Sequence, residues 1–163
     1  MTFQKIFLTF GGAGLSPKYP ATVSSLAALF VGVAILYYLG IETLFMLAIA
    51  VIVIGIFEIN KYAKITGSHK QQEIVIDKTA GVWLALMLAT STAQSMPYEN
   101  AQILAIIFSF ATFRLFDTWK PSTIGWINRE VKGGAGVMLD DVLSGIAAGL
   151  LSGLFLVTLE KVL

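Results

Sequence analysis

Cysteine is absent and histidine occurs once, at His69. No cysteine means no disulfide, no thiolate nucleophile and no Cys-ligated zinc. A single histidine excludes mechanisms that need one histidine as nucleophile and a second as acid. Charge is also scarce: 13% of the 163 residues are charged and the formal net charge is +1, so no basic excess points to nucleic acid. What fills the space is hydrocarbon. The chain is 56% apolar, with a mean hydropathy of +0.80, well above an ordinary soluble domain. Its length suits a single domain over residues 1–163. The start does not read as a cleavable signal peptide, because the first apolar stretch is long and follows a motif-rich segment.

Five uncharged stretches organise the sequence, from Thr22 to Ile41, Thr43 to Phe57, Thr79 to Tyr98, Asn100 to Phe113 and Val142 to Leu159. A spanning helix needs about 20 apolar residues. The second and fourth stretches are short and must borrow flanking residues such as Glu58-Ile59 or Arg114-Leu115-Phe116, or sit where the bilayer thins. The expected fold is therefore all-α, a polytopic membrane helical bundle of about five spans with motif-bearing loops on the cytoplasmic side.

Basic residues set the orientation. Lys5 and Lys18 precede the first stretch, Lys61, Lys64, Lys70 and Lys78 lie between the second and third, and Arg114, Lys120, Arg129 and Lys132 lie between the fourth and fifth. Only Lys161 falls on the other side. The positive-inside rule then predicts a cytoplasmic N-terminus and an external C-terminus. The same sorting gathers the acidic motifs at one interface, where a headgroup enzyme would work. A conduit would bury its acids near the bilayer midplane.

The strongest local signal is the pair Asp140-Asp141, at the foot of the last apolar stretch and just after Gly133-Gly134-Ala135-Gly136. Two like charges beside hydrocarbon are costly. Helix capping accounts for one aspartate. Neighbouring helical side chains point about 100° apart, so the two are expected to do different jobs: one on a metal, the other on a second metal, a water or the helix terminus. The glycine runs at 11–14 and 133–136 read as tight turns or as backbone cradles for phosphate. Arg114 and Asp117 share a helix face, with Lys120 a turn further on, either as a site or as a juxtamembrane charge cluster. Glu73 and Asp77 converge if their segment is helical. Gly145, Gly149 and Gly153 recur at the spacing that lets membrane helices pack closely. Phe3, Ile6, Phe7 and Phe10 form one apolar face, suited to the membrane surface or to packing on the bundle.

Four motifs, GGAGLSPKYPAT, EIVIDKTAGVW, FRLFDTWKPSTIGW and GGAGVMLDDVLSG, follow one another between these stretches. In that order they resemble the phosphatidylglycerophosphatase A family, over nearly the whole chain. The resemblance implies a magnesium-dependent phosphatase of the bacterial inner membrane that converts phosphatidylglycerophosphate to phosphatidylglycerol and phosphate, with membrane lipids as its surroundings. It implies acidic site residues at Asp77, Asp117, Asp140 and Asp141. Basic phosphate-binding residues are implied at Arg114 and Lys120, with Ser16, Thr22 and Ser25 from the N-terminal motif.

The residue inventory is compatible with that chemistry. No Asp-x-Asp motif suggests an aspartyl-phosphate route, which leaves carboxylates holding one or two Mg2+ ions. Asp77, Asp140 and Asp141 are then the metal candidates. Asp117 either orients Arg114 or serves as a further ligand or base. The chain departs from the family pattern at Lys78, where an Asp-Glu pair is usual, and at Ala21 and Ser24, where glycine is common. It also lacks an acidic residue among Lys70-Gln71-Gln72. Lys78 either disables the site or binds phosphate directly. The alternatives to an active phosphatase are a silent relative that binds lipid phosphate and, from another class, a small membrane conduit.

Overall fold

The computed structural model describes residues 3–12, 18, 20–67, 74–96, 100–119, 126 and 133–162. Among these there is no strand. Six helices follow in order: α1 (Phe3–Leu8), α2 (Pro20–Leu39), α3 (Ile41–Thr66), α4 (Ile76–Ala93), α5 (Ala101–Trp119) and α6 (Gly133–Val162). The chain is a polytopic membrane helical bundle. Four of the helices, α2, α3, α5 and α6, are long and apolar enough to cross a membrane.

The fifth expected span is α4, and its composition differs because its surroundings do. Thirteen of its 18 residues are buried, and it packs against α2, α3, α5 and α6. A helix wrapped in protein needs no hydrocarbon-facing side chains, so it can carry Thr, Gly and charge. In α3 the reverse holds. Only 17% of its spanning window is buried, and Phe45, Met46, Ile49, Val53 and Phe57 face outward.

Helix ends follow local chemistry. Pro20 occupies the first position of α2, where a missing N–H costs nothing. Gly40, at φ 93°, provides the turn that lets α3 begin one residue after α2 ends. Gly67 closes α3 in the left-handed region, its N–H donating to the Ala63 carbonyl at 2.7 Å. Several helices outrun their apolar stretches. α3 carries Glu58, Lys61 and Lys64 past the expected end, and α5 continues through Arg114 to Trp119.

The largest extension is in α6, which begins at Gly133, nine residues before the apolar stretch. Gly133–Gly136 is thus the first turn of a helix, not a phosphate-cradling loop. Gly134 lies on the Ile56 carbonyl of α3, where a Cβ would collide, and its N–H donates to Asn60 Oδ1 at 2.8 Å. That bond satisfies one of the N–H groups a helix start leaves open. Further along, Gly145 meets the backbone of Gly81, Gly149 meets Leu88, and Gly153 meets Thr92. The glycine stripe is the seam between α6 and α4, as its spacing predicts. Deeper in the bundle, Thr112 Oγ1 lies 3.2 Å from the Ala148 carbonyl and 3.0 Å from Ser152 Oγ, joining α5 to α6.

The N-terminal helix packs on the bundle. Leu8 is 1% exposed, Phe7 and Phe10 rest against the core, and the Leu8 carbonyl accepts the Val75 N–H at 2.9 Å just ahead of α4.

Candidate functional site

Helix α4 starts with Ile76-Asp77-Lys78-Thr79, and this first turn is the centre of a buried polar cluster. Asp77 has a local reason to be here, since a carboxylate near a helix N-terminus is favoured. Its Oδ1 accepts the backbone N–H of Lys78 at 3.0 Å, which fixes the carboxylate's orientation. The Lys78 Nζ then donates to three carboxylates on three helices: Asp141 Oδ2 at 2.8 Å, Asp117 Oδ1 at 3.0 Å and Asp77 Oδ2 at 3.5 Å. All three aspartates are buried, Asp141 completely. An unpaired buried charge is strongly unfavourable. The cluster exists because each charge has opposite partners close by.

Asp117 is shared between two cations. While Oδ1 faces Lys78, Oδ2 accepts from Arg114 Nη1, one helical turn back on α5, at 2.5 Å. Arg114 Nη2 reaches across to Thr22 Oγ1 on α2 at 3.3 Å. Both carboxylate oxygens of Asp117 are therefore engaged with cations, and further N–H groups of the planar guanidinium remain for an anion. Of the two sequence-based roles for Asp117, orienting Arg114 is the one this geometry serves.

The aspartate pair lies about two turns inside α6, so neither residue caps its start. Both still reach the same place. One oxygen each from Asp77, Asp140 and Asp141 can lie within 4.8 Å of one another. The angular separation of neighbouring helical residues thus does not keep the two aspartates apart. The carboxylate's two torsions close the gap. The close α4–α6 seam brings Asp77 to them: an added Cβ on Gly81 would sit 2.6 Å from the Asp141 carbonyl. Asp140 and Asp141 are held in register along the helix, where the Asp140 carbonyl accepts the Ser144 hydroxyl at 2.9 Å.

Two buried oxygens in the cluster, Asp141 Oδ1 and Thr79 Oγ1, have no hydrogen-bond partner among the described residues. Orphaned buried polar atoms are rare in native proteins, and each calls for a cause such as strain, a catalytic role, a water or an ion. Thr79 was not singled out from the sequence, although its place two residues after Asp77 in EIVIDKT is the available signal. Asn60, which holds the start of α6, carries no such signal. Thr22 is half-buried and joins the cluster through Arg114, while Ser25 lies buried one turn along α2. Ser16, Lys120, His69 and Glu73 lie outside the described residues.

Hard oxygen donors, buried between membrane helices beside an oriented guanidinium, define a class: a helical membrane protein with a polar site suited to anionic phosphate and a hard cation. Comparison with known proteins narrows it. The family model described as phosphatidylglycerophosphatase A matches residues 6–156. The phosphatidylglycerophosphatase A of Escherichia coli (strain K12) is 36% identical over 141 residues, 86% of this chain and 76% of that protein. That of Haemophilus influenzae is 31% identical, over 84% of this chain and 78% of its own length. A putative phosphatidylinositol-3-phosphatase of Bacteroides thetaiotaomicron is 32% identical, over 83% and 82%. No solved structure matches. The chain belongs to the phosphatidylglycerophosphatase A family and is a phosphatase by class.

Proposed function

We propose that this chain hydrolyses phosphatidylglycerophosphate to phosphatidylglycerol and inorganic phosphate at the cytoplasmic face of a bacterial inner membrane. The observation that carries this reading is the convergence of Asp77, Asp140 and Asp141 beside Arg114 in a member of this family. The names of its relatives all denote phosphate removal from a phosphatidyl lipid. The cytoplasmic orientation rests on the distribution of lysine and arginine.

The donor set suits Mg2+. It is made of carboxylate oxygens, and the orphaned Asp141 Oδ1 is an acceptor that a cation would satisfy. Asp77, Asp140 and Asp141 would hold the ion, which when bound supplies charge neutralisation and an activated water. The protein's own groups do the rest. Arg114, oriented by Asp117 and Thr22, binds the phosphate oxygens and matches them in a bidentate fashion. Ser25, Ser16 and Lys120 are assigned to the same phosphate region by the N-terminal and third motifs. The lipid's acyl chains stay in the membrane, so only the headgroup need enter the polar cluster.

Lys78 weakens turnover in this reading. Its ammonium points at carboxylates, not outward to a phosphate, so of its two sequence-based roles the disabling one fits better. The test is phosphate release from phosphatidylglycerophosphate by the purified chain and by Lys78→Glu, each with magnesium and with chelator. Magnesium-dependent release is expected, faster by at least about tenfold in the Glu variant, or about 1.4 kcal/mol in barrier. Release by neither protein, both folded, would overturn the enzyme reading and leave a silent lipid-phosphate binder. Equal release by both would remove the role given to Lys78.

A further inference from the structure

The aspartate cluster occupies the first turn of α4, and the far end of the same helix borders a second concavity. A cavity of about 320 Å3 opens there between α3 and α4, inside the range of roughly 300–1,000 Å3 that ligand pockets occupy. Gly55 of α3 packs beside Ile76 of α4, and the two helices run in opposite directions. At that register Glu42 and Ser91 share one level of the cavity, with Phe45, Met46, Met87 and Leu88 below them. From Asp77 to Ser91 the helix rises about 21 Å, so this cavity is separate from the polar cluster.

Its walls are arranged like an amphiphile. The rim is polar, formed by the Glu42 carboxylate and the Ser91 hydroxyl on exposed residues. Below it the lining is hydrocarbon and thioether, and the two methionines can adapt to a chain of no fixed shape. The rim also sits at headgroup level. Tyr37 and Tyr38, largely exposed at the end of α2, are placed as an aromatic belt at a membrane–water interface, and the Gly40 turn leads from them to Glu42. Charge then selects the headgroup. No lysine or arginine occurs between Lys18 and Lys61 or between Lys78 and Arg114. Among the described residues Glu42 has no ion pair. An ammonium would satisfy that carboxylate, whereas a headgroup of net negative charge would be repelled by it.

We propose that this groove binds one phospholipid with a primary ammonium headgroup, of the ethanolamine type, in the leaflet opposite the aspartate cluster. The ammonium donates to Glu42, and an acyl chain lies along Phe45, Met46, Met87 and Leu88. The bound lipid fills the seam between α3, the least buried of the four spanning helices, and α4, which is mostly wrapped in protein. The proposal does not rest on the phosphatase reading.

The test is native mass spectrometry of the purified full-length chain in detergent. The probe is an equal mixture of phosphatidylethanolamine and phosphatidylglycerol with the same acyl chains. The wild type should bind one phosphatidylethanolamine ahead of any further lipid. Glu42→Gln should lower the preference for ethanolamine over glycerol about fivefold, the worth of one exposed ion pair. Met46→Trp, at an exposed position of α3, should fill the cavity and remove that one lipid. Equal retention of both lipids by the wild type would overturn the proposal. So would an unchanged preference in Glu42→Gln, or an unchanged lipid count in a folded Met46→Trp. A dimer in place of the bound lipid would give the groove to a second copy of the chain and overturn it as well. Glu42→Gln alters no packing, so its preference decides alone should the Trp variant not fold.

Discussion

Lys61 and Lys78 lie at neighbouring ends of α3 and α4, and each faces a carboxylate. Lys61 reaches Glu58 at 3.5 Å, one turn back on its own helix, with its side chain 67% exposed. Lys78 reaches Asp141 at 2.8 Å on another helix, with the aspartate fully buried. Water competes for the first pair and holds its worth near zero to 1 kcal/mol. Little water competes for the second, where the lysine side chain is 16% exposed and the aspartate not at all, so its partners depend on it and it on them. The same pairing of residue types is decoration in one place and architecture in the other. What separates them is desolvation and the number of helices joined.

That contrast breaks most severely at Asp141. Asp141→Ala leaves Lys78 short of its closest partner inside the bundle and should cost about 3–5 kcal/mol of stability, measured by thermal or denaturant unfolding in detergent. Gly145→Ala attacks the same region through the backbone. The new Cβ meets the Gly81 carbonyl, forces α4 from α6 and should cost about 1–3 kcal/mol, while the Lys61 pair stays intact. Its signature is a loss of Mn2+ affinity together with the stability loss, because Asp77 moves away from Asp140 and Asp141. Asp117→Asn keeps the shape but removes the charge shared by Lys78 and Arg114. About a tenfold rise in KM for the lipid phosphate is expected, with a smaller change in kcat, as for a group that positions another. Lys61→Ala should change stability by less than about 0.5 kcal/mol and leave phosphate release unaltered. A larger effect there would erase the distinction between the two lysines.

Much of this arrangement can be read from composition and spacing, and the unreadable part has identifiable causes. Hydropathy locates α2, α3, α5 and α6 because their outer faces meet lipid. The uncharged stretch Thr79 to Tyr98 marks α4 as a full-length span and leaves α3 and α5 short, yet it is α4, wrapped by four neighbours, that falls outside the helices apolar enough to cross. Glycine misleads in the opposite direction. In water Gly133–Gly136 breaks a helix, but here the small residues let α6 start against the α3 backbone, and the aspartate pair ends up inside the helix. The family resemblance rests on ordered motifs and survives comparison with known proteins over residues 6–156. What no local pattern reveals is the partner list of Lys78. Its three carboxylates are 1, 39 and 63 residues away, so only the folded bundle brings them to one nitrogen.

Trp83 provides a way to watch that bundle. Its indole N–H donates to the Ala28 carbonyl at 2.9 Å, and its ring fills the notch left by Gly32 on α2. The ring is 5% exposed, whereas Trp119 and Trp126, the other two tryptophans of the chain, are more than half exposed. Aqueous quenchers should therefore extinguish the emission of Trp119 and Trp126 and spare that of Trp83. The residual fluorescence becomes an optical gauge of the α2–α4 seam, on the helix whose first turn carries Lys78. A bundle loosened by substitution would report itself as a red shift in that protected signal, with no substrate added.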